Sequence, residues 1–206
     1  MCATYRIFVD EDQEDIRKII EEAQQNVDDS TAEILLRKAA GQDIYPGDPA
    51  PVILKDRSVT AAHWGFPMST FKGGKISRTG VFNARGESIG IKSMFKYRLQ
   101  DGRCLIPATE FYEWDARGKS KKRVSIRLQT GGILHFAGLY GIFIQEPGIL
   151  VSCFTLVTIA ANAQLAPIHD RMPAILDPAE ADEWLLSPMA SALKLLRPYP
   201  GLLQIK

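Results

Sequence analysis

The chain reads as an α+β protein: a curved, barrel-like, largely antiparallel β-sheet with peripheral helices. Three observations predict this. Segments rich in β-branched and aromatic residues, bounded by Gly, Pro and Asp, fill the middle of the chain. Helical periodicity gathers toward the ends, with one further stretch between. Strands in a block, rather than alternating strictly with helices, favour α+β over a parallel α/β fold.

The elements follow in order. Residues 11–25 carry Ile16, Ile19 and Ile20 on one face and acids around the rest, the pattern of an amphipathic helix. A second helix is expected over 31–39, capped by Ser30 or Thr31. YPGDPAP at 45–51 is a rigid turn region. Strands are predicted at PVILK, SVTAAHW, RCLIPA, FYEW, RVSIRLQ, ILHFAGLYGIFI and ILVSCFTLVTI, with loops at 116–122 and 129–132. Helical patterns recur at 86–98, 161–167, 178–186 and 188–196. Without repeats or a linker, residues 1–206 are expected to form one domain.

At 46% hydrophobic and 24% charged residues the composition is that of a soluble globular protein. No apolar run approaches the roughly 18 residues of a membrane span. The N-terminus turns acidic where a signal peptide needs a basic flank and a long apolar stretch. A cytoplasmic or nucleoid-associated protein is expected. Cys2, Cys104 and Cys153 are odd in number and form no CxxC pair, which argues against disulfides and a zinc site. No metal or cofactor is expected.

Charge is segregated along the chain. Residues 10–33 hold ten acids against Arg17 and Lys18, while residues 72–127 hold 14 Lys/Arg against five Asp/Glu. A solvated face is the plain reading of such a run. A partner rich in phosphates is the functional one.

Cys2 is distinguished by its position. Removal of Met1, which a small residue at position 2 permits, would leave an α-amine and a thiol on adjacent carbons. A 1,2-aminothiol condenses with an aldehyde to an imine, and addition of sulfur closes a thiazolidine. An α-amine titrates near ~7.7–8.0 and a thiol near ~8.5, so useful fractions of neutral amine and thiolate are expected at pH 7. The same position would suit a thiol peptidase using its own amine as base, or nothing more than a frayed terminus.

A set of motifs singles out one chemistry. MC at the start, HWGFP at 63–67, NARGE at 83–87, RCLIPATEFYEW at 103–114, FAGLY at 136–140, TIAAN at 158–162 and IHDRMPAIL at 168–176 resemble, in order and spacing, the SRAP family. Its members shield abasic sites in single-stranded DNA. The resemblance implies that Cys2 bonds to C1′ of the ring-opened sugar, with Asn83, Glu113 and His169 completing the catalytic set. Arg85 and Arg171 would hold phosphates, with ion pairs to acids such as Glu87 or Asp170 as the alternative. Trp64 would stack on a base or belong to the core.

The partner implied is single-stranded DNA containing abasic sites, met by a monomer without a membrane. A thiol (auto)peptidase and a non-covalent single-stranded-DNA binder are the competing readings. Two departures from the family pattern bear on DNA affinity. Ala3-Thr4 stands where Gly-Arg is usual, and Glu110 replaces a glycine, adding an acid expected near the site.

Overall fold

Two long strands set the frame of the computed structural model, which describes residues 2–8, 14–68 and 80–206. In chain order the strands are β1 (Tyr5–Arg6), β2 (Pro49–Ile53), β3 (Val59–Trp64), β4 (Phe66–Pro67), β5 (Gly80–Val81), β6 (Asn83–Arg85) and β7 (Arg103–Ala108). They continue with β8 (Glu110–Asp115), β9 (Lys122–Leu128), β10 (Leu134–Glu146), β11 (Ile149–Ala160), β12 (Arg171–Pro173), β13 (Ile175–Leu176) and β14 (Leu203–Ile205). The helices are α1 (Glu14–Gln25), α2 (Asp29–Ala39), α3 (Ser93–Asp101), α4 (Pro178–Leu186) and α5 (Met189–Lys194).

The sheet order β11-β3-β2-β7-β10 closes into a five-stranded barrel because β10 also pairs with β11. Closure removes the exposed edges that an open sheet would carry. The barrel is mixed: β3 and the short β6 both run parallel to β11, and the other pairings are antiparallel. Inside it, Gly138 lies opposite Cys104, where a Cβ would come within 2.7 Å of Ile106 Cδ1 and 2.8 Å of the Cys104 sulfur. Only glycine lets the wall close there.

A second sheet, β1-β8-β9-β14, lies beside the barrel and pins the start of the chain. Tyr5 pairs with Phe111 and Arg6 with Glu110, and the Tyr112 N–H donates to Thr4 O at 3.1 Å. The Tyr5 ring is fully buried, 5.2 Å from Trp64 and 6.1 Å from Phe136 in edge-on contacts. Burying one such side chain contributes roughly 1.5–3 kcal/mol, which anchors a strand only two residues long. Asp43 adds ion pairs to Arg6 at 2.5 Å and Arg123 at 2.6 Å.

Helix α1 buries Ile16, Ile20 and Ala23, and Glu22 Oε1 accepts the Val59 N–H at 2.8 Å. Residues 11–13 of the expected helix lie outside the described residues. Helix α2 starts earlier than expected, because Asp28 caps it by accepting the Thr31 N–H at 3.0 Å. Only the second half of the 86–98 pattern is helical. Gly86 and Gly90 leave 86–92 in turns, glycine being about 1 kcal/mol less favourable than alanine in a helix.

Residues 163–168 form turns rather than a helix. The Asn162 side chain accepts the Leu165 N–H, and Pro167 cannot continue a helical ladder. Among the described residues no helix is long and apolar enough to cross a membrane.

Candidate active site

Four chain segments meet where β1 approaches the end of β11. The N-terminal segment runs along β8 and brings Cys2 beside Glu113, whose charge acts on the thiol. Strand β6, in register Asn83 to Leu156, presents the Asn83 amide, which donates from Nδ2 to the main-chain carbonyl of Cys2 at 3.0 Å. The chain entering β12 supplies His169, whose Nε2 is 4.0 Å from Glu113 Oε2. Cys2, Asn83, Glu113 and His169, scattered over the sequence, thus share one site.

Glu113 alternates with Tyr112 and Trp114 on β8, and its side of the strand, shared with Phe111, turns inward. It is 4% exposed, and its Oε1 has no hydrogen-bond partner among the described residues. Burial raises its pKa above the ordinary carboxylate value, the nearby Asp170 adding to the rise and His169 opposing it. Asn83 Oδ1 is likewise buried without a partner among the described residues. Two acceptors thus converge near Cys2 with capacity for a donor.

The His169 ring has a defined polarity. Its Nδ1 accepts the Arg171 main-chain N–H at 2.9 Å, which in the neutral ring assigns the proton to Nε2, on the Glu113 side. Asp170 Oδ1 lies 3.0 Å from the same Nδ1.

The cysteine expectation is corrected in one respect. Cys2 is fully buried, and burial, with the Glu113 charge second, pushes its thiol up to about 12; a weak contact to Thr4 O at 3.6 Å offsets this only in part. The sulfur therefore needs a base at the moment it reacts. The sequence could not show this, because the burial is created by segments far apart in the chain.

Residues 1–206 match the family described as SOS response associated peptidase (SRAP). The chain belongs to the SRAP family. Its relatives include the abasic site processing protein YobE of Bacillus subtilis, 34% identical over 147 residues, covering 69% of this chain and 67% of YobE. YoaM of the same organism, with the same description, is 37% identical over 147 residues, covering 69% and 64%. HMCES of Gallus gallus, also described as an abasic site processing protein, is 31% identical over 193 residues, covering 80% of this chain and 54% of HMCES. The chain thus spans between about half and two thirds of these relatives.

Two solved structures share the fold. One, from Bacteroides thetaiotaomicron, superposes with a TM-score of 0.78 at 22% identity, covering 99% of this chain and 90% of the other. One from Bordetella bronchiseptica gives 0.79 at 24%, covering 99% and 98%.

In this SRAP chain the remaining motif residues separate by environment. Arg171 holds Glu87 through both terminal nitrogens, at 2.5 and 3.0 Å, and reaches Thr158 O at 2.5 Å. Its fork is engaged within the protein. Glu87 was legible only as a possible partner, and Thr158 not at all.

Arg85, two residues along β6 from Asn83, is exposed and makes no ion pair among the described residues. Trp64 is a core residue: it is 1% exposed, stacks on Phe154 and donates its Nε1–H to Phe82 O at 2.8 Å. No face of its ring is open to a base.

Glu110 faces away from the site. It accepts the Tyr112 hydroxyl and lies 3.5 Å from Arg6, on the opposite side of β8 from Glu113. Thr4 contributes its main-chain carbonyl, which any residue would supply.

The basic segment is not one patch either. Arg103 is buried and donates to main-chain carbonyls of Leu99, Trp184, Leu185 and Ser187. Arg117 pairs with Asp115, and Arg123 with Asp43. Lys72, Lys75 and Arg78 lie outside the described residues.

Proposed function

We propose that this chain recognises abasic sites in single-stranded DNA and, once Met1 is removed, joins Cys2 covalently to the ring-opened sugar, shielding the lesion during the response to DNA damage. The observation that carries the reading is the Asn83 hydrogen bond to the Cys2 carbonyl, beside a buried Glu113 with an unpartnered oxygen and His169 4.0 Å away. Relatives named as abasic site processing proteins support the choice of aldehyde.

The residue chemistry balances. An abasic deoxyribose is mostly a closed hemiacetal, and opening it moves the proton of the anomeric hydroxyl to the ring oxygen, a transfer that His169 Nε2–H assists by hydrogen bonding to that oxygen. The Cys2 amine adds to C1′, one of its protons passing to the carbonyl oxygen, and Glu113 in its protonated form, which burial favours, gives its proton to the departing hydroxyl, releasing water and leaving an iminium. The carboxylate so formed then takes the Cys2 thiol proton as sulfur adds to C1′. Glu113 serves as acid and then base within one cycle, which supplies the base that a buried neutral thiol lacks. Arg85 supplies a guanidinium for a neighbouring phosphate.

A thiol peptidase would likewise have to deprotonate Cys2, and the burial of its thiol opposes that. Denaturing gels of the wild type and the Cys2→Ala variant with abasic single-stranded DNA test the assignment. A DNA adduct with the wild type alone is expected. Equal binding of intact and abasic strands with no adduct would replace it with a non-covalent binder.

A further inference from the structure

The site brings an aldehyde-reactive group and an anion-binding group together within one short strand. Asn83, which clamps Cys2, and Arg85 point to the same side of β6, with Ala84 buried on the other. Alternate strand residues are about 6–7 Å apart. Arg85 is exposed, and its charge acts on Glu87 without a direct ion pair among the described residues. At the other end Glu113 is 4% exposed with Oε1 unpartnered among the described residues, and Cys2 is fully buried. Cys2 and Glu113 are therefore enclosed, while Arg85, two residues from Asn83, opens to solvent.

We infer that the same site captures free, short-chain phosphorylated aldehydes, with Arg85 holding the phosphate while Cys2 condenses with the carbonyl. The inference rests on the aminothiol reading of Cys2 but requires no nucleic acid. The chain without Met1 reacts as RCHO plus its aminothiol, the amine nitrogen and then the sulfur bonding to the carbonyl carbon. The carbonyl oxygen leaves as water, and no oxidant or reductant is needed. A neutral aldehyde of the same length has the carbonyl without the phosphate, so Arg85 sets the preference between them.

The test uses the full chain with Met1 removed, followed by intact-mass spectrometry. The probes are glyceraldehyde 3-phosphate and glyceraldehyde at equal concentration. A free peptide of residues 2–5 gives the uncatalysed reference, and an abasic oligonucleotide is run in parallel. The phosphorylated probe is expected to add at least about tenfold faster than the neutral one, a ratio suited to one charge-assisted contact. The peptide is expected to show no comparable preference.

Arg85→Ala should bring the two rates together, and inorganic phosphate should slow only the phosphorylated probe on the unsubstituted chain. A ratio on the protein no larger than on the peptide, while the oligonucleotide is crosslinked, overturns this inference alone. Failure to crosslink the oligonucleotide overturns the proposed function instead.

Discussion

The side-chain amide of Asn83 donates to the main-chain carbonyl of Cys2 at 3.0 Å, joining two residues 81 positions apart. The bond fixes the main chain at Cys2 against β6, and through β6 against the barrel strand β11. Orientation of a nucleophile is worth several kcal/mol in a condensation. Asn83→Ala should lower the rate of adduct formation about 10- to 100-fold, the loss of one buried hydrogen bond and the order it imposes. Its thermal midpoint should fall only slightly. Quantified denaturing gels and thermal unfolding on the same preparations check both parts.

Glu113 makes a pH prediction with a definite sign. Its folded pKa is raised by burial above the unfolded value of about 4.3. The folded chain therefore binds the proton more tightly than the unfolded one. That contribution is fully present below about pH 4.3 and is lost as pH rises through the folded value. Glu113→Gln removes the titration, so it should raise the thermal midpoint relative to wild type at pH 7, with the gain shrinking toward pH 4. The same variant should lose adduct formation. A pH-independent difference in midpoint would show that burial does not raise the Glu113 pKa.

Much of the fold was legible because the strand segments carry their own signature: FYEW, RVSIRLQ and ILVSCFTLVTI lie on β8, β9 and β11. The parallel pairing of β3 and β6 to β11 was not, since register between distant strands depends on barrel closure rather than on local periodicity. Asn83, Glu113 and His169 were legible through their motifs, and the structure places them together around Cys2. The burial of the Cys2 thiol was not, and the core position of Trp64 and the engagement of Arg171 by Glu87 were legible only as alternatives. Each depends on which segments cover or meet the side chain, and neighbouring residues in the sequence do not encode that.

Thiol labelling should follow burial. Cys2, Cys104 and Cys153 are all buried and free. Burial pushes Cys2 up to about 12 and Cys153 up to about 11, and raises Cys104 as well. A thiol-specific reagent at neutral pH should leave the native, methionine-retaining protein unlabelled on a timescale at which the denatured chain is labelled at all three positions. Mass spectrometry counts the labels, and rapid native labelling at Cys2 would contradict the enclosed site.

The two motif arginines should part ways. Arg85→Ala should weaken binding to single-stranded DNA and reduce the salt slope by about 1, with little effect on thermal stability. Arg171→Ala should destabilise the fold by about 1–3 kcal/mol, because Glu87 and Thr158 lose their shared donor. Binding titrations across salt concentrations and denaturant unfolding separate the two. Identical behaviour of the variants would show that the Glu87 pairing does not distinguish them.

Intact-mass spectrometry of the chain before and after mixing with an abasic single-stranded oligonucleotide tests the central claim most directly. Loss of Met1, followed by one stable adduct weighing the oligonucleotide less one water and absent in Cys2→Ala, is the predicted result. A chain that has lost Met1 and still emerges at its own mass would contradict it.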